Sequence, residues 1–242
     1  EKHDAILIAT GVYKPREMQS YPQQTPVFVQ GLVLSHHDLL FTSSGGWGNS
    51  FLRSVDLNTS LLNAKVDIRD HGFAEGITIL NHRLYQLFWK SGRGIVYSIP
   101  QLEPLTTFKF KGEGWGLTND GRDLIMSNGS AKLLFLDPSH PETVKKELVV
   151  HSVLGPVDNL NALSYSHGII YANVWHLPMI VLINAKSGEV VGWIDAYKFQ
   201  APFAHRLSRQ CAVLNGVTNI PNQKRQLIIT GKCWDRLYRI AY

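Results

Sequence analysis

The segment Glu75-Gly76-Ile77-Thr78 belongs to a pattern that occurs five times in this 242-residue chain. Each copy opens with a short turn and strand, passes through a polar turn and reaches a second apolar strand. The openings recur at intervals of 40 to 54 residues and are Gln30-Gly31-Leu32-Val33, Glu75-Gly76-Ile77-Thr78, Trp115-Gly116-Leu117-Thr118, Asn161-Ala162-Leu163-Ser164 and Asn215-Gly216-Val217-Thr218. Repeats of this length, built from short strands, are typical of the blades of a β-propeller. The sequence therefore predicts an all-β, five-bladed β-propeller in which residues 1–242 form a single domain.

The repeats also predict where functional side chains meet. In a β-propeller, equivalent positions near the innermost strands converge on the central axis. A first ring consists of the opening residues Gln30, Glu75, Trp115, Asn161 and Asn215. A second ring comes from the end of the second strand of each repeat and consists of Ser44, Trp89, Gly129, Trp175 and Lys232. Together they supply tryptophans, one carboxylic acid, one amine and several amides, which is the composition of a small-ligand pocket.

The N-terminal segment has a predicted role in closing the ring. Residues 5–12 read as an apolar strand that has no partner in a repeat of its own. We expect this strand to complete the last blade beside Leu237-Tyr238-Arg239-Ile240, because closure protects sheet edges that otherwise stay open. Residues 14–26 contain three prolines and are expected to form a loop, and residues 196–210 a short helical or irregular insertion.

The composition excludes several classes of function. An apolar content of 44% and a charged content of 18% are those of a globular protein rather than a disordered one. The net charge of +5 is modest and the basic residues are scattered, so no nucleic-acid partner is expected. No apolar stretch reaches the roughly 18 residues of a membrane span. Because a closed propeller hides its own sheet edges, we expect a monomer.

Three features favour an exported protein, in the periplasm, the secretory pathway or outside the cell. The chain begins at Glu1 without an initiator methionine, as a trimmed chain does, or a mature form after signal removal. Asn58-Thr59-Ser60 and Asn128-Gly129-Ser130 match the glycosylation sequon. Cys211 and Cys233 flank the last blade, and they either form a disulfide in an oxidising compartment or are two small buried residues.

Each candidate residue, taken alone, has a simpler interpretation. A single tryptophan in a propeller usually packs in the core, a glutamate before glycine usually lies in a turn, and a lysine after Thr-Gly usually faces solvent. Their coincidence in two repeat columns favours a binding site instead. His36-His37-Asp38 lacks the spaced partners of a zinc site and is interpreted as a polar turn. No nucleophile elbow or nucleotide-binding loop is found, and we expect no cofactor and no metal in the site. A structural calcium ion among the loops stays open, because nothing in the sequence specifies one.

Eight segments carry a family resemblance, in order, across residues 20–242. They are Phe28-Val29-Gln30-Gly31-Leu32, Phe73-Ala74-Glu75-Gly76-Ile77-Thr78, Phe88-Trp89-Lys90, Glu113-Gly114-Trp115-Gly116-Leu117-Thr118, Tyr171-Ala172-Asn173-Val174-Trp175, Val191-Gly192-Trp193-Ile194-Asp195, Leu214-Asn215-Gly216 and Thr230-Gly231-Lys232-Cys233-Trp234. These segments resemble the plant and bacterial type of glutaminyl-peptide cyclotransferase. The resemblance implies a five-bladed propeller that works without zinc. It also implies a substrate peptide or protein whose N-terminal glutamine becomes pyroglutamate, with release of ammonia.

The resemblance further implies roles for individual residues. Glu75 matches the catalytic carboxylate, and we expect Lys232 and Asn161 to assist it. The positions implied for substrate binding are Phe28, Gln30, Trp89, Trp115 and Trp175. Since the substrate carries both reacting groups, its α-amine and its γ-carboxamide, Glu75 would take a proton from the amine and hand it to the departing nitrogen.

The chain departs from the family pattern at several positions. Thr42, Ala162 and Ser164 stand where the family usually has carboxylates, and Gln23-Gln24 replaces a His-Asp pair. We expect the three missing carboxylates to lie near the mouth and to alter its electrostatics. A second hypothesis is therefore a catalytically impaired propeller that binds peptide N-termini without converting them. A purely structural propeller, a third class, would not require an aromatic mouth.

Overall fold

The computed structural model describes residues 11–23, 27–68 and 71–242. Before the first repeat lie β1 (Val12–Tyr13) and β2 (Arg16–Pro22). Blades one to three contain β3 (Val29–Leu34), β4 (Leu39–Ser44), β5 (Phe51–Asp56), β6 (Leu62–Asp67), β7 (Ala74–Leu80), β8 (Arg83–Phe88), β9 (Arg93–Ser98), β10 (Pro104–Lys109), β11 (Leu117–Asn119), β12 (Leu124–Ser127), β13 (Lys132–Asp137) and β14 (His140–Val149). The remaining elements are β15 (His151–Ser152), β16 (Gly155–Pro156), β17 (Leu160–Ser166), β18 (Ile169–Val174), β19 (Met179–Asn184), β20 (Val190–Asp195), α1 (Tyr197–Ala204), β21 (Leu214–Asn219), β22 (Gln226–Gly231) and β23 (Arg236–Ala241).

Each repeat forms one antiparallel blade whose first strand is innermost. The innermost strands β3, β7, β11, β17 and β21 lie side by side around the axis, and β21 returns to β3. Apolar clusters fill the interfaces between neighbouring blades, including the interface between the last blade and the first. The ring is therefore closed, and the predicted five-bladed propeller is confirmed.

An N-terminal strand completes the last blade, but it is not the predicted one. Strand β2 pairs antiparallel with β23 and becomes the outermost strand of blade five. The predicted loop over residues 14–26 is thus wrong for residues 16–22. Val12 and Tyr13 pair in parallel with β20 of blade four, and residues 5–10 lie outside the described residues. Most side chains of β2 are exposed, so this strand lacks the apolar pattern that identifies a strand in a sequence.

The innermost strands are irregular at the opening residues of the repeats. The strand register shifts across the positions that contain Gln30, Glu75, Asn161 and Asn215. A β-bulge of this kind turns a side chain out of the regular alternation of the strand. Since Gln30 bonds both Glu75 and Asn215 across blade boundaries, the bulges direct polar side chains towards a shared centre.

Two glycines allow the innermost strands to approach closely. A Cβ atom on Gly76 would lie 2.5 Å from the backbone nitrogen of Leu117. A Cβ atom on Gly116 would lie 2.0 Å from the backbone oxygen of Asn161. A larger residue at either position would push neighbouring blades apart. These glycines directly follow Glu75 and Trp115. The same short motif therefore allows the innermost strands to pack closely and supplies the side chains at the centre of the ring.

The insertion between blades four and five falls within the predicted residues 196–210 and contains helix α1. Phe203 of α1 stacks on Trp234, with ring centroids 4.5 Å apart. A disulfide joins Cys211, which follows the helix, to Cys233, so the first interpretation of the two cysteines is correct. Since Cys233 directly follows Lys232, the disulfide ties the insertion to a predicted site residue. None of the described residues forms a helix long and apolar enough to cross a membrane.

Candidate active site

Glu75 lies buried at the centre of the ring, with 4% of its surface exposed. Its Oε1 accepts a 2.6 Å hydrogen bond from Nε2 of Gln30, whereas its Oε2 has no partner among the described residues. Burial raises the pKa of the Glu75 carboxyl well above its ordinary value. The charge of Lys232 and the Gln30 bond oppose this rise in pKa, and the charge of Glu113 adds to it. A carboxyl with a pKa raised by burial is a candidate for accepting and donating protons in a reaction.

A chain of amides leads from Glu75 in blade two through Gln30 in blade one to Asn215 in blade five. Nδ2 of Asn215 donates to the backbone oxygen of Val29 at 2.8 Å and to Oε1 of Gln30 at 2.7 Å. Gln30 donates in turn to Glu75. The repeat columns placed Asn215 in the first ring, but no role was predicted for it. The structure shows that its amide supports the hydrogen-bonded end of the carboxyl.

Lys232 follows β22 and is buried against an aromatic ring. Its Nζ lies 4.8 Å from the centroid of the Phe28 ring, which is a cation–π geometry. Burial lowers the pKa of the Lys232 amine, and the negative charge of Glu75 opposes that change. The backbone nitrogen of Lys232 donates to the oxygen of Val213 at 2.9 Å. The amine is therefore held in a position where its charge acts on the Glu75 carboxyl.

Glu113 connects two tryptophans of the predicted pocket. Its Oε2 accepts hydrogen bonds from the indole nitrogens of Trp89 at 2.8 Å and of Trp115 at 3.1 Å. The Trp115 bond is the main cause of the lowered pKa of Glu113. The Lys90 ammonium lies 3.9 Å from Oε1 of Glu113 and 4.4 Å from the centroid of the Trp89 ring. Sequence reasoning gave Glu113 no role, although its place two residues before Trp115 in a quoted segment was a signal.

Trp115 and Trp175 form another part of the aromatic wall. Their ring centroids lie 5.4 Å apart with an edge-to-face angle of 86°. A Cβ atom on Gly129 would come within 2.7 Å of the Trp115 ring. The second-ring position of blade three therefore has no side chain, and the Trp115 indole fills that space. Asn161 is buried beside Gly116, and its Oδ1 has no partner among the described residues. A buried amide oxygen thus remains without a partner beside the segment that carries Trp115.

A second run of aromatic rings leads outward from Phe28. The Phe73 ring lies 6.2 Å from Phe28 and 5.7 Å from Trp89, measured between centroids. Trp47 lies 5.8 Å from Phe73 and 6.4 Å from Trp89. Trp47 was not identified from the sequence, because the loop between β4 and β5 contributes to neither repeat column. The aromatic surface therefore extends beyond the predicted tryptophans towards solvent.

The structure connects most of the predicted site residues in one continuous set. Hydrogen bonds join Gln30 to Glu75, and Trp89 to Trp115 through Glu113. Ring contacts join Trp115 to Trp175, and the Lys232 amine lies over Phe28. Ser44, from the second ring, is buried within β4 and takes no part in these contacts. The arrangement offers a proton-exchanging carboxyl, N–H donors and an apolar wall.

Two of the three positions of the missing family carboxylates, Thr42 and Ser164, do not lie at the mouth, which corrects the expectation for them. Thr42 lines a cavity between blades one and five together with Gln23. Ala162 packs in the apolar cluster between blades four and five. The Ser164 hydroxyl donates to Oδ1 of Asn219 and accepts from its backbone nitrogen, each at 2.9 Å, at the far end of the central channel. All three positions are buried within strands.

The histidines of blade one lie far from Glu75. His36 and His37 form the turn between β3 and β4, as predicted, and line a cavity of about 480 Å³ at the far end of the channel. Within the described ranges, no group of three or more His, Cys, Asp or Glu side chains is placed to hold a metal ion.

These features define a class of protein, a five-bladed propeller with a buried carboxyl and an aromatic wall at one mouth. A family model described as glutamine cyclotransferase matches residues 2–242. A glutaminyl-peptide cyclotransferase from Arabidopsis thaliana is 34% identical over 221 residues, which is 91% of this chain and 68% of the plant protein. The crystal structure of Myxococcus xanthus glutaminyl cyclase has a TM-score of 0.86 at 31% identity, covering 95% of this chain and 96% of that chain. The chain belongs to the glutamine cyclotransferase family, as the resemblance predicted.

Proposed function

We propose that this protein is an enzyme that converts the N-terminal glutamine of peptides or proteins into pyroglutamate and releases ammonia. The observation that carries the proposal is the buried Glu75 carboxyl, whose Oε1 is held by Gln30 while its Oε2 has no partner among the described residues. The family relationship supports the same activity, as do the names of the plant relative and of the bacterial enzyme.

The reaction closes a five-membered ring within the substrate. The α-amine nitrogen attacks the γ-carboxamide carbon, the bond from that carbon to its nitrogen breaks, and the nitrogen leaves as ammonia after gaining a proton. Holding the side chain folded back contributes on the order of several kcal/mol, because two groups then react as neighbours. In this proposal Trp89, Trp115 and Trp175 surround the aliphatic part of the glutamine and exclude water.

Glu75 acts first as base and then as acid. An α-amine has an ordinary pKa of about 8, and it must be neutral to attack. Burial raises the pKa of Glu75 towards that range, so a proton passes between the two groups at small cost. Oε2 takes the proton that the attacking nitrogen loses, and delivers it to the departing nitrogen.

The carbonyl oxygen gains negative charge during the attack and needs N–H donors. Gln30 is already bonded to Glu75 and Asn215, which favours Asn161 and Lys232 for this role. Donors held in a water-poor site stabilise developing charge strongly. Lys232 has a second effect on Glu75. Its positive charge lowers the pKa of the Glu75 carboxyl and so opposes the rise that burial causes.

The competing proposal, a propeller that binds peptide N-termini without turnover, loses its main support. It rested on carboxylates missing from the mouth, whereas Thr42 lines a cavity between blades one and five and Ser164 lies at the far end of the channel. Glu75 and Lys232 remain together at the centre, an arrangement that simple binding does not require.

The test is ammonia release from the dipeptide Gln-Gly, with and without a zinc chelator. Wild-type protein should turn over in both conditions, and Glu75→Gln should lose about a hundredfold or more in kcat. Glu142→Gln, at an exposed position of β14, is the matched control and should behave as wild type. Near-normal turnover by Glu75→Gln would refute the role of that residue. No wild-type turnover, with Gln-Gly still quenching tryptophan fluorescence, would instead identify a binding protein.

We also propose that the protein works in an oxidising compartment after export. The Cys211–Cys233 disulfide supports this, since disulfides persist mainly in such compartments. Thiol labelling of the protein in its native cells checks the proposal. Two labelled cysteines without added reductant would contradict it.

A further inference from the structure

Trp47 exposes 65% of its surface at the mouth, although it belongs to an aromatic group. Its ring contacts Phe73 and Trp89, with centroid distances of 5.8 Å and 6.4 Å. An exposed tryptophan leaves a large apolar face in water, and such faces often serve as anchors for a partner. Trp47 therefore presents binding surface that is continuous with the pocket.

The loop that carries Trp47 is anchored to the strand that carries Glu75. The Ser50 hydroxyl donates to the backbone oxygen of Gly46 at 2.8 Å and accepts from the backbone nitrogen of Ala74 at 3.0 Å. Ala74 directly precedes Glu75. Since these bonds hold the loop in place before a ligand arrives, little ordering is required on binding.

We propose that Trp47 forms the subsite for the side chain of the residue that follows the N-terminal glutamine, and that this subsite takes an apolar or aromatic side chain. The inference rests on the proposed function. The glutamine side chain and its own amine both have to reach Glu75, so the rest of the peptide leaves through the open mouth. There Trp47 continues outward the wall that Trp89 begins.

The charges beside this surface do not favour a charged side chain. Lys90 and Glu113 lie next to Trp89 and carry charges of opposite sign. The Nζ atom of Lys90 is 3.9 Å from Oε1 of Glu113. The surface itself consists of the Trp47 and Phe73 rings. An aromatic side chain can pack against these rings in the edge-to-face or offset arrangements that such pairs prefer.

The experiment compares kcat/KM for Gln-Phe and Gln-Gly. Wild-type protein should prefer Gln-Phe by roughly three- to tenfold, the size expected for one aromatic pair. Trp47→Ala should remove this preference by lowering kcat/KM for Gln-Phe to the level of Gln-Gly, and Trp47→Phe should keep most of it. Tyr197→Ala removes an aromatic side chain that is 62% exposed on helix α1, and should change neither substrate.

The outcomes separate this subsite from the proposed function. A preference that survives in Trp47→Ala, or that wild type does not show, would overturn the subsite while Gln-Gly turnover upholds the activity. An equal loss for both dipeptides would place Trp47 in the pocket itself and also overturn the subsite. Failure of wild type on both dipeptides would overturn the activity and the subsite together.

A second inference comes from the amide chain that ends at Glu75. The backbone oxygen of Val29 only accepts hydrogen bonds, so the Asn215 atom bonded to it at 2.8 Å is the amide nitrogen. The same nitrogen bonds Gln30 at 2.7 Å, so the Gln30 atom that faces it is the oxygen. The amide nitrogen of Gln30 then faces Oε1 of Glu75 at 2.6 Å.

We propose that Asn215 is a positioning residue that determines which end of the Gln30 amide meets Glu75. Without Asn215, the Gln30 amide is free to turn and present its oxygen to the carboxyl. A carboxyl that faces an acceptor keeps its proton to avoid repulsion. Asn215 thus keeps Oε1 of Glu75 as the acceptor of the Gln30 hydrogen bond. Oε2 of Glu75 is then the oxygen that exchanges protons.

Asn215 acts separately from the charges that face Glu75. These charges are Lys232, from the segment after β22, and Glu113, from the segment before β11. Neither side chain is hydrogen-bonded to Asn215 within the described structure. The effect of Asn215 on Glu75 therefore has to pass through Gln30.

The measurement is a ¹³C NMR titration of the Glu75 carboxyl, assigned by comparison with Glu75→Gln. Asn215→Ala should raise the pKa of Glu75 by about one unit, because a hydrogen bond to the charged form is lost. Gln30→Leu should have a similar effect. Asn215→Ala combined with Gln30→Leu should shift no further than Gln30→Leu alone.

Asn173→Ala is the matched control, because it also removes a buried amide that supports β21. Oδ1 of Asn173 accepts from the backbone nitrogen of Gly216 at 3.0 Å and does not touch Gln30. This variant should lower the melting temperature and leave the titration of Glu75 unchanged. An unshifted titration in Asn215→Ala, or additive shifts in the double variant, would overturn the positioning role. The titration needs no turnover, so its result is independent of the proposed activity.

Discussion

The indole nitrogen of Trp89 donates to Oε2 of Glu113 across a separation of 24 residues, at 2.8 Å. The same oxygen accepts from Trp115, so one carboxylate orients rings that come from two blades. The lowered pKa of Glu113 keeps this group ionised at neutral pH. The aromatic wall is therefore held by hydrogen bonds as well as by packing.

Removal of that carboxylate should loosen the wall without removing the reacting group. We expect Glu113→Ala to raise KM for Gln-Gly by roughly tenfold, because hydrogen bonds to a charged acceptor each contribute about 1.5 kcal/mol or more. Steady-state kinetics and the tryptophan emission spectrum are the measurements. Glu103→Ala, at an exposed turn, is the control and should change neither. An unchanged KM with an unchanged spectrum would show that packing alone orients the rings.

Gly129 should be essential because of Trp115 rather than because of its backbone alone. Gly129 and Gly121 both have positive φ, at 82° and 91°, but only Gly129 faces a ring, and a Cβ on Gly121 would meet nothing within 4 Å. Alanine at either site should cost about 1 kcal/mol of unfolding free energy through backbone strain. Gly129→Ala should lose about 1–3 kcal/mol more by overpacking, and should raise KM. Urea denaturation of both variants checks this, and equal losses would contradict it.

The repeats made the fold predictable, whereas ring closure was only partly so. Gly76 and Gly116 are required by close approach of the innermost strands, and so the motif recurs visibly in the sequence. Strand β2 lies on the outside of blade five with most side chains in solvent, and nothing in its polarity indicates a strand. A strand is recognised in a sequence by the apolar side chains that it buries, and an outermost strand buries few of them.

The arrangement of the candidate site was predictable for residues in the repeat columns, and not for residues whose contacts join distant segments. Glu75, Gln30 and Lys232 were found because equivalent positions converge. Glu113 and Trp47 lie outside the columns, and each contacts Trp89, which is distant from both in the chain. Ser164 was misplaced because the innermost strand runs the length of the channel, so residues three apart along it face different ends.

The disulfide should stabilise the last blade. Cys211 and Cys233 are separated by 22 residues, and cross-linking a loop of this length contributes about 3 kcal/mol in the chain-entropy model. Replacing both cysteines with alanine should lower the unfolding free energy by about that amount. Guanidinium denaturation, with and without reductant, is the measurement. Reductant should destabilise wild type and leave the double variant unchanged. Equal stability of wild type and the double variant in the absence of reductant would contradict the prediction.

Glu75 should make the protein less stable as pH rises. Burial raises the folded-state pKa of Glu75 above its unfolded value, so the folded protein holds this proton more tightly. Its contribution to stability is complete below the unfolded pKa of about 4.5 and is lost as pH rises through the folded pKa. Glu75→Gln removes the buried charge and keeps an acceptor for Gln30, so the variant should gain stability relative to wild type as pH rises. Urea denaturation of both proteins from pH 4 to 8 gives the difference, and Glu142→Gln should track wild type throughout. A difference that is constant with pH would mean that Glu75 titrates normally, and that its placement between Gln30 and Lys232 compensates for burial in full.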